Sequence, residues 1–120
     1  MDLSNATGSF NTFFGTANAS THLKTVDKLI VPENLSYGTN FFQNQNGLIN
    51  ITIEGTIGKN FPIGACPLSV ESVQSIIDHL KDLTGTTAQT LTVSAHVYNN
   101  VMTAEQKAQV SAKNWNLASA

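Results

Sequence analysis

The clearest alternation in the chain is Leu48-Ile49-Asn50-Ile51-Thr52-Ile53, where Ile49, Ile51 and Ile53 recur at the two-residue spacing of a half-buried strand. It follows an aromatic pair, Phe41-Phe42, and a polar turn, Gln43-Asn44-Gln45-Asn46-Gly47. Upstream, Leu29-Ile30-Val31 is a short β-rich run stopped by Pro32, which has no N–H to donate to a ladder. Leu3 reads as the end of a further short strand, and Thr90-Leu91-Thr92-Val93 and Trp115-Asn116-Leu117-Ala118 read as two more. The predicted strand centres lie near Leu3, Ile30, Ile51, Thr92 and Asn116. Part of the pattern repeats. Tyr37-Gly38-Thr39-Asn40-Phe41 returns 20 residues later as Ile57-Gly58-Lys59-Asn60-Phe61, Leu68 stands where Leu48 stood, and Phe13-Phe14 precedes Phe41-Phe42 by 28. Such repetition points to a stack of similar units.

After Pro67 the period changes from two to 3.6. Val70, Val73, Ile76, Ile77, Leu80 and Leu83 make one apolar helical face. Ser69 stands at the N-cap, Glu71 lies in the first turn, and Thr84-Gly85 closes the helix near Leu83. His96 to Val101 has little pattern and reads as a loop. Thr103-Ala104-Glu105-Gln106 is a capping-box signal that opens a second helix running to about Lys113. Helical connectors of this length join parallel strands by a crossover. The expected fold is therefore a single α/β domain over residues 1–120. It has one parallel sheet, irregular repeats over 1–66, and a helix-strand-helix-strand ending over 67–120.

Composition narrows the function classes. Charged residues are 12% of the 120, about half the usual ~25%, and Asn, Thr, Ser and Gln fill the gap. Six scattered lysines and a net charge of -2 form no basic stripe, so no nucleic-acid partner is expected. No apolar run is long enough for membrane insertion, and the first residues carry no basic-then-apolar leader pattern. A low-charge surface rich in Asn and Thr suits extracellular, virion or cell-surface proteins.

The residues resemble a family. Leu48-x-x-Ile51-x-Ile53 is similar to the strand consensus of leucine-rich repeats, and Leu23-x-x-Val26-x-x-Leu29-x-Val31-Pro32 to the same unit with one extra residue. The aromatic pair, turn and "Ile-Val-Pro" order resembles the BspA-type leucine-rich repeats of bacterial surface proteins. The stretch from Leu68 through Leu83-Thr84-Gly85 and Thr90–Val93 to Leu117 looks like the ending of such proteins in gut Firmicutes and of structural, tail-associated proteins of their phages. The resemblance implies a curved leucine-rich-repeat solenoid. It also implies a non-catalytic interaction or structural module of a phage virion or tail, or of a bacterial surface protein. That module would work in partner binding or host adhesion, as part of a larger assembly or an oligomer. A small phage-encoded regulator that inhibits a host protein, working in the cytoplasm, is the alternative.

Reactive side chains fit that expectation. Cys66 is the single cysteine and reads as a small buried apolar group, with no recognisable motif around it. His22, His79 and His96 have no metal-ligand spacing, so no metal or other cofactor is expected. Asp78 and Asp82 are four apart but read as a solvated face with Lys81 between them. Gly55 to Gly58 lacks the lysine and following helix of a phosphate loop. Asn5, Asn18, Asn34 and Asn50 match the glycosylation acceptor pattern by coincidence of composition. If Leu29, Val31, Ile51, Ile53, Leu91 and Val93 point inward, one outer face remains. It holds Ile30, Thr52 and Thr92, with Lys28, Glu54 and Ser94 at its margins, and is the candidate interaction face.

Overall fold

The computed structural model describes residues 1–6, 9–10, 24–39, 41–42 and 45–120, with only the backbone pairing of 9–10. Phe13, Phe14, His22, Leu23, Asn18 and Asn40 lie outside the described residues. Seven strands and two α-helices are described, in a mixed α/β arrangement. Strand β1 is Ser9–Phe10, β2 Thr25–Val31, β3 Ser36–Tyr37, β4 Asn50–Gly55, β5 Phe61–Ile63, β6 Thr90–Val93 and β7 Asn116–Ser119; helix α1 is Val70–Asp78 and α2 Ala104–Ala112.

Every described strand pairing is parallel. The strands do not form one sheet as expected. They form three, in the orders β1-β3, β2-β4 and β5-β6-β7, none of them closed. Two stretches outside the expected strands, Ser36–Tyr37 and Phe61–Ile63, are strands, and they carry the additional pairings. Short parallel pairings made at a distance leave little trace in local alternation, which is why the pattern missed them. Residues in register lie 24 to 30 positions apart, as with Val31 and Gly55 or Phe61 and Leu91. The 20-residue echo is therefore not the structural offset: Tyr37 pairs with β1, whereas Ile57 bridges Leu80. Phe41 and Phe61 are both fully buried, and Leu48 and Leu68 keep matching roles. Each leucine is buried two positions before the element that follows, β4 or α1.

Within β2 the extra residue of the pattern is absorbed locally. Val26 faces Ile51 and Leu29 faces Ile53, with a register shift between them, so Asp27 and Lys28 together oppose Thr52. Without that bulge, a three-residue spacing would send Val26 and Leu29 to opposite faces. With it, Val26, Leu29 and Val31 are all buried, as are Ile51 and Ile53 on β4. The edge of β2 away from β4 is occupied by the first residues: Asp2 bridges Ile30, and the Leu3 N–H donates to the Ile30 carbonyl at 2.7 Å.

Helix α1 begins as expected, with the Ser69 side chain accepting from the Ser72 N–H. Its end differs from the expected one near Leu83. The helix stops at Asp78, and Leu80 and Leu83 are buried beyond it. The cause is a competing backbone partner. The Ile57 N–H donates to the His79 carbonyl at 2.8 Å and the Lys81 N–H donates to the Ile57 carbonyl at 2.9 Å. Those bonds hold the segment as a parallel bridge instead of another helical turn. The Lys113 ammonium donates to the carbonyls of Ile77 (2.7 Å) and Leu80 (3.1 Å), placing a cation where the helix dipole is negative. Val70 and Ile49, read as core positions, are instead exposed. The Ile49 backbone is pinned by Lys24 and Ser69, but its side chain precedes the ladder and points out.

The segment read as a loop, His96 to Val101, contains a π-helical turn over Val97–Val101 that buries Val97. Helix α2 starts at a complete capping box between Thr103 and Gln106, as its sequence signal indicated.

Among the described residues the core is continuous. Its most concentrated part is aromatic: Tyr37, Phe41, Phe42 and Phe61 meet edge to face, with centroids 4.9 to 5.6 Å apart. The Tyr37 hydroxyl is buried there with no hydrogen-bond partner among the described residues. Burial in this apolar setting holds its pKa above the usual phenol value. Tyr37→Phe removes an unpaired buried oxygen and keeps the ring contacts. We expect it to leave stability unchanged or raise it by about 1 kcal/mol. A denaturation midpoint that falls by that amount would show that the hydroxyl has a partner.

Candidate functional site

The outer face of β2-β4 and the helix beside it form the most elaborated surface. Parallel strands leave one edge of β4 unpaired, and an open edge invites aggregation. Here α1 closes it with side chains. The Ser72 hydroxyl accepts from the Ile51 N–H at 2.9 Å and lies 2.9 Å from the Ile49 carbonyl, to which it donates. The Ser75 hydroxyl accepts from the Ile53 N–H at 2.9 Å. Residues three apart on a helix share a face and residues two apart on a strand point the same way, so the two serines meet two successive edge N–H groups. Ser72→Ala leaves the buried Ile51 N–H without an acceptor. We expect a loss of about 1–3 kcal/mol, read as a lower urea midpoint with an unchanged slope. An unchanged midpoint would mean that the edge is satisfied in another way.

Between this outer face and α1 runs an open groove of ≈ 510 Å³, lined by Thr52, Glu54, Glu71, Gln74, Ser75, Asp78 and His79. Three of these are carboxylates. Glu54 pairs with Lys28 at 3.3 Å, both about half exposed, a contact worth at most about 1 kcal/mol. Asp78 accepts from the Gln74 side chain at 2.8 Å. His79 places Nδ1 at 2.7 Å from the Ser75 carbonyl, so Nδ1 carries a proton. Gln74 also donates to Gln109 (2.9 Å) and accepts from the buried Gln106 (3.2 Å), which itself donates to the Val70 carbonyl (3.0 Å). A series of amides thus ties α1 to α2 and holds the groove's helical wall in place.

The six candidate face residues divide between two places. Lys28, Ile30, Thr52 and Glu54 share the outer face of β2-β4, where Ile30 and Glu54 are register partners. Thr92 and Ser94 do not join them. Thr92 is in β6, between Pro62 and Ala118, and lines a separate hollow of ≈ 460 Å³ with Pro62 and Gly64. Ser94 follows β6 and accepts from the Val97 N–H at 3.1 Å, ahead of the π-helical turn over Val97–Val101. The single face assumed a single sheet, and the division into three sheets separates its members.

The candidate face did not include Glu71, Gln74, Ser75 and Asp78, which line the groove. Their signal was present: they lie at helical spacing on the face opposite Val73, Ile76 and Ile77. Of the other reactive groups, Asp82 lies past the end of α1, where it accepts from the Thr84 hydroxyl (2.7 Å) and N–H (3.0 Å). Those bonds lower its pKa from the usual carboxylate value. Cys66 is fully buried, and burial pushes its thiol up to about 12, so almost no thiolate exists near neutral pH. Among the described residues no three His, Cys, Asp or Glu side chains gather as a metal cage, and no helix is long and apolar enough to cross a membrane.

No family model, no curated protein and no solved structure matches this sequence.

Proposed function

We propose that this protein is a short solenoid of leucine-rich-repeat type serving as a non-catalytic interaction or structural module. Its contact surface is the outer face of β2-β4 together with the groove against α1. In this reading the module belongs to a phage virion or tail, or to a bacterial surface protein, and holds a partner protein within a larger assembly.

The observation that carries the reading is the contrast between edge and face. The β4 edge is sealed by Ser72 and Ser75, a device that blocks indiscriminate strand pairing. The adjoining face is left open, with Thr52 and Lys28 exposed and Ile30 and Glu54 half-buried. Parallel pairings between residues 24 to 30 positions apart support the repeat architecture. The deeply buried thiol of Cys66 supports a non-catalytic role.

The test is the mass of the purified protein in solution by light scattering, followed by capture of partners with wild type and with Thr52→Arg, which alters only the open face. A defined oligomer, or co-purification with virion or surface proteins that is lost in Thr52→Arg, supports the proposal. A stable monomer that binds a single host enzyme stoichiometrically overturns it in favour of a regulatory inhibitor. So does partner capture that Thr52→Arg does not affect.

A further inference from the structure

We propose that Asn46 is a site of spontaneous deamidation, converting this turn to a mixture of isoaspartyl and aspartyl forms. The inference is independent of the interaction reading above. Asn46-Gly47 is the only Asn-Gly step in the sequence. It lies in a turn closed by a hydrogen bond from the Leu48 N–H to the Gln45 carbonyl at 3.1 Å. Asn46 is exposed, and neither its side-chain amide nor the Gly47 N–H is engaged in a hydrogen bond among the described residues. The side chains of Asn60 and Asn114, by contrast, are held. The Asn60 side-chain oxygen accepts from the Thr90 N–H at 2.8 Å, and the Asn114 amide donates to the carbonyls of Leu83 and Thr86, each at 3.0 Å.

The chemistry uses only the polypeptide and water. The Gly47 nitrogen loses its proton to hydroxide and attacks Cγ, the amide carbon of the Asn46 side chain. A new bond from nitrogen to Cγ closes a five-membered succinimide, the bond from Cγ to Nδ2 breaks, and ammonia leaves. Glycine supplies the accessible nitrogen, because no Cβ shields it or restricts the backbone. Water then opens the ring. The product depends on which ring carbonyl water attacks: water at Cγ breaks the Cγ–N bond and frees an ordinary aspartate, and water at the backbone carbonyl breaks its bond to nitrogen and leaves isoaspartate, in which the peptide continues through the β-carbon.

The isoaspartyl product inserts one methylene into the backbone and adds a carboxylate. The turn can no longer close with the same geometry. Leu48, fully buried and two residues before β4, is displaced from its packing. The modification therefore acts on the register of β4 and on the outer face that strand carries.

The test is incubation of the purified full-length protein in mildly alkaline and in mildly acidic buffer. Peptide mass spectrometry follows each asparagine, and an isoaspartyl methyltransferase labels the product. The Asn46 peptide is expected to convert several-fold faster than those holding Asn60 or Asn114, with the rate rising with pH. Gly47→Ala is expected to slow it several-fold, and Asn46→Gln to remove the methyl label from this peptide. An Asn46 amide that lasts as long as that of Asn60 overturns the proposal. So does a conversion rate that is flat with pH. Since the wild-type comparison between asparagines needs no variant, a folding defect in Gly47→Ala does not affect the result.

Discussion

Ile51→Asp is expected to leave no cooperative thermal transition at room temperature and above. Ile51 is 3% exposed near the start of β4, faces Val26 in register, and has its N–H held by Ser72. The substitution removes a buried side chain whose transfer from water is worth about 1.5–3 kcal/mol. It also places a carboxylate in an apolar core, at a further cost of several kcal/mol even if the acid takes up a proton. A domain of this size has about 5–15 kcal/mol to lose. Circular dichroism on heating checks this, with Thr52→Asp as the control. That side chain points out from the same strand and is exposed, so its effect is expected to stay within about 0.5 kcal/mol. If Ile51→Asp melts like wild type while Thr52→Asp unfolds, β4 is out of register by one residue.

Gly55→Ala is the second large effect. Gly55 ends β4 opposite Val31 with φ of +86°, a conformation that costs an L-residue about 1–2 kcal/mol. A Cβ there would lie 2.1 Å from the Val31 carbonyl oxygen, which belongs to the backbone and cannot rotate away. That carbonyl also accepts from the Thr56 N–H at 3.2 Å, so moving it sacrifices a further bond of about 1 kcal/mol. The expected total is about 2–4 kcal/mol, or a Tm lower by roughly 10 °C. Gly85 separates the two causes. Its φ is +82°, but among the described residues nothing lies within 4 Å of its Cβ position. Gly85→Ala therefore meets only the backbone cost and is expected to lose about 1–2 kcal/mol. Equal melting of the two variants would mean that the β2-β4 contact at Val31 relaxes freely.

These expectations rest on positions of different legibility. The inward set Leu29, Val31, Ile51, Ile53, Leu91 and Val93 was readable from alternation and is buried throughout. The Ser69 and Thr103 caps were readable because capping is settled by residues three apart in sequence. The candidate face was readable only in part. Lys28, Ile30, Thr52 and Glu54 do meet, since a single strand pair positions all four. Thr92 and Ser94 were joined to them by assuming one sheet, and strand alternation says which side a residue faces but not which sheet its strand enters. The helical wall of the groove escaped notice because its residues look like any solvated helix face until α1 is laid against β4.

What the sequence determined by itself is local: where strands alternate, where helices begin, and which side chains turn inward. These follow from backbone periodicity and from bonds spanning three or four residues. The tertiary structure alone decided where α1 ends, because the Ile57 backbone lies 22 residues before His79 in sequence and takes its carbonyl. It alone decided that the strands divide into three sheets, and that Ser72 and Ser75 close the β4 edge. Each of these depends on backbone groups remote in sequence choosing among partners of nearly equal hydrogen-bond strength. That choice is made by which packing buries the shared core.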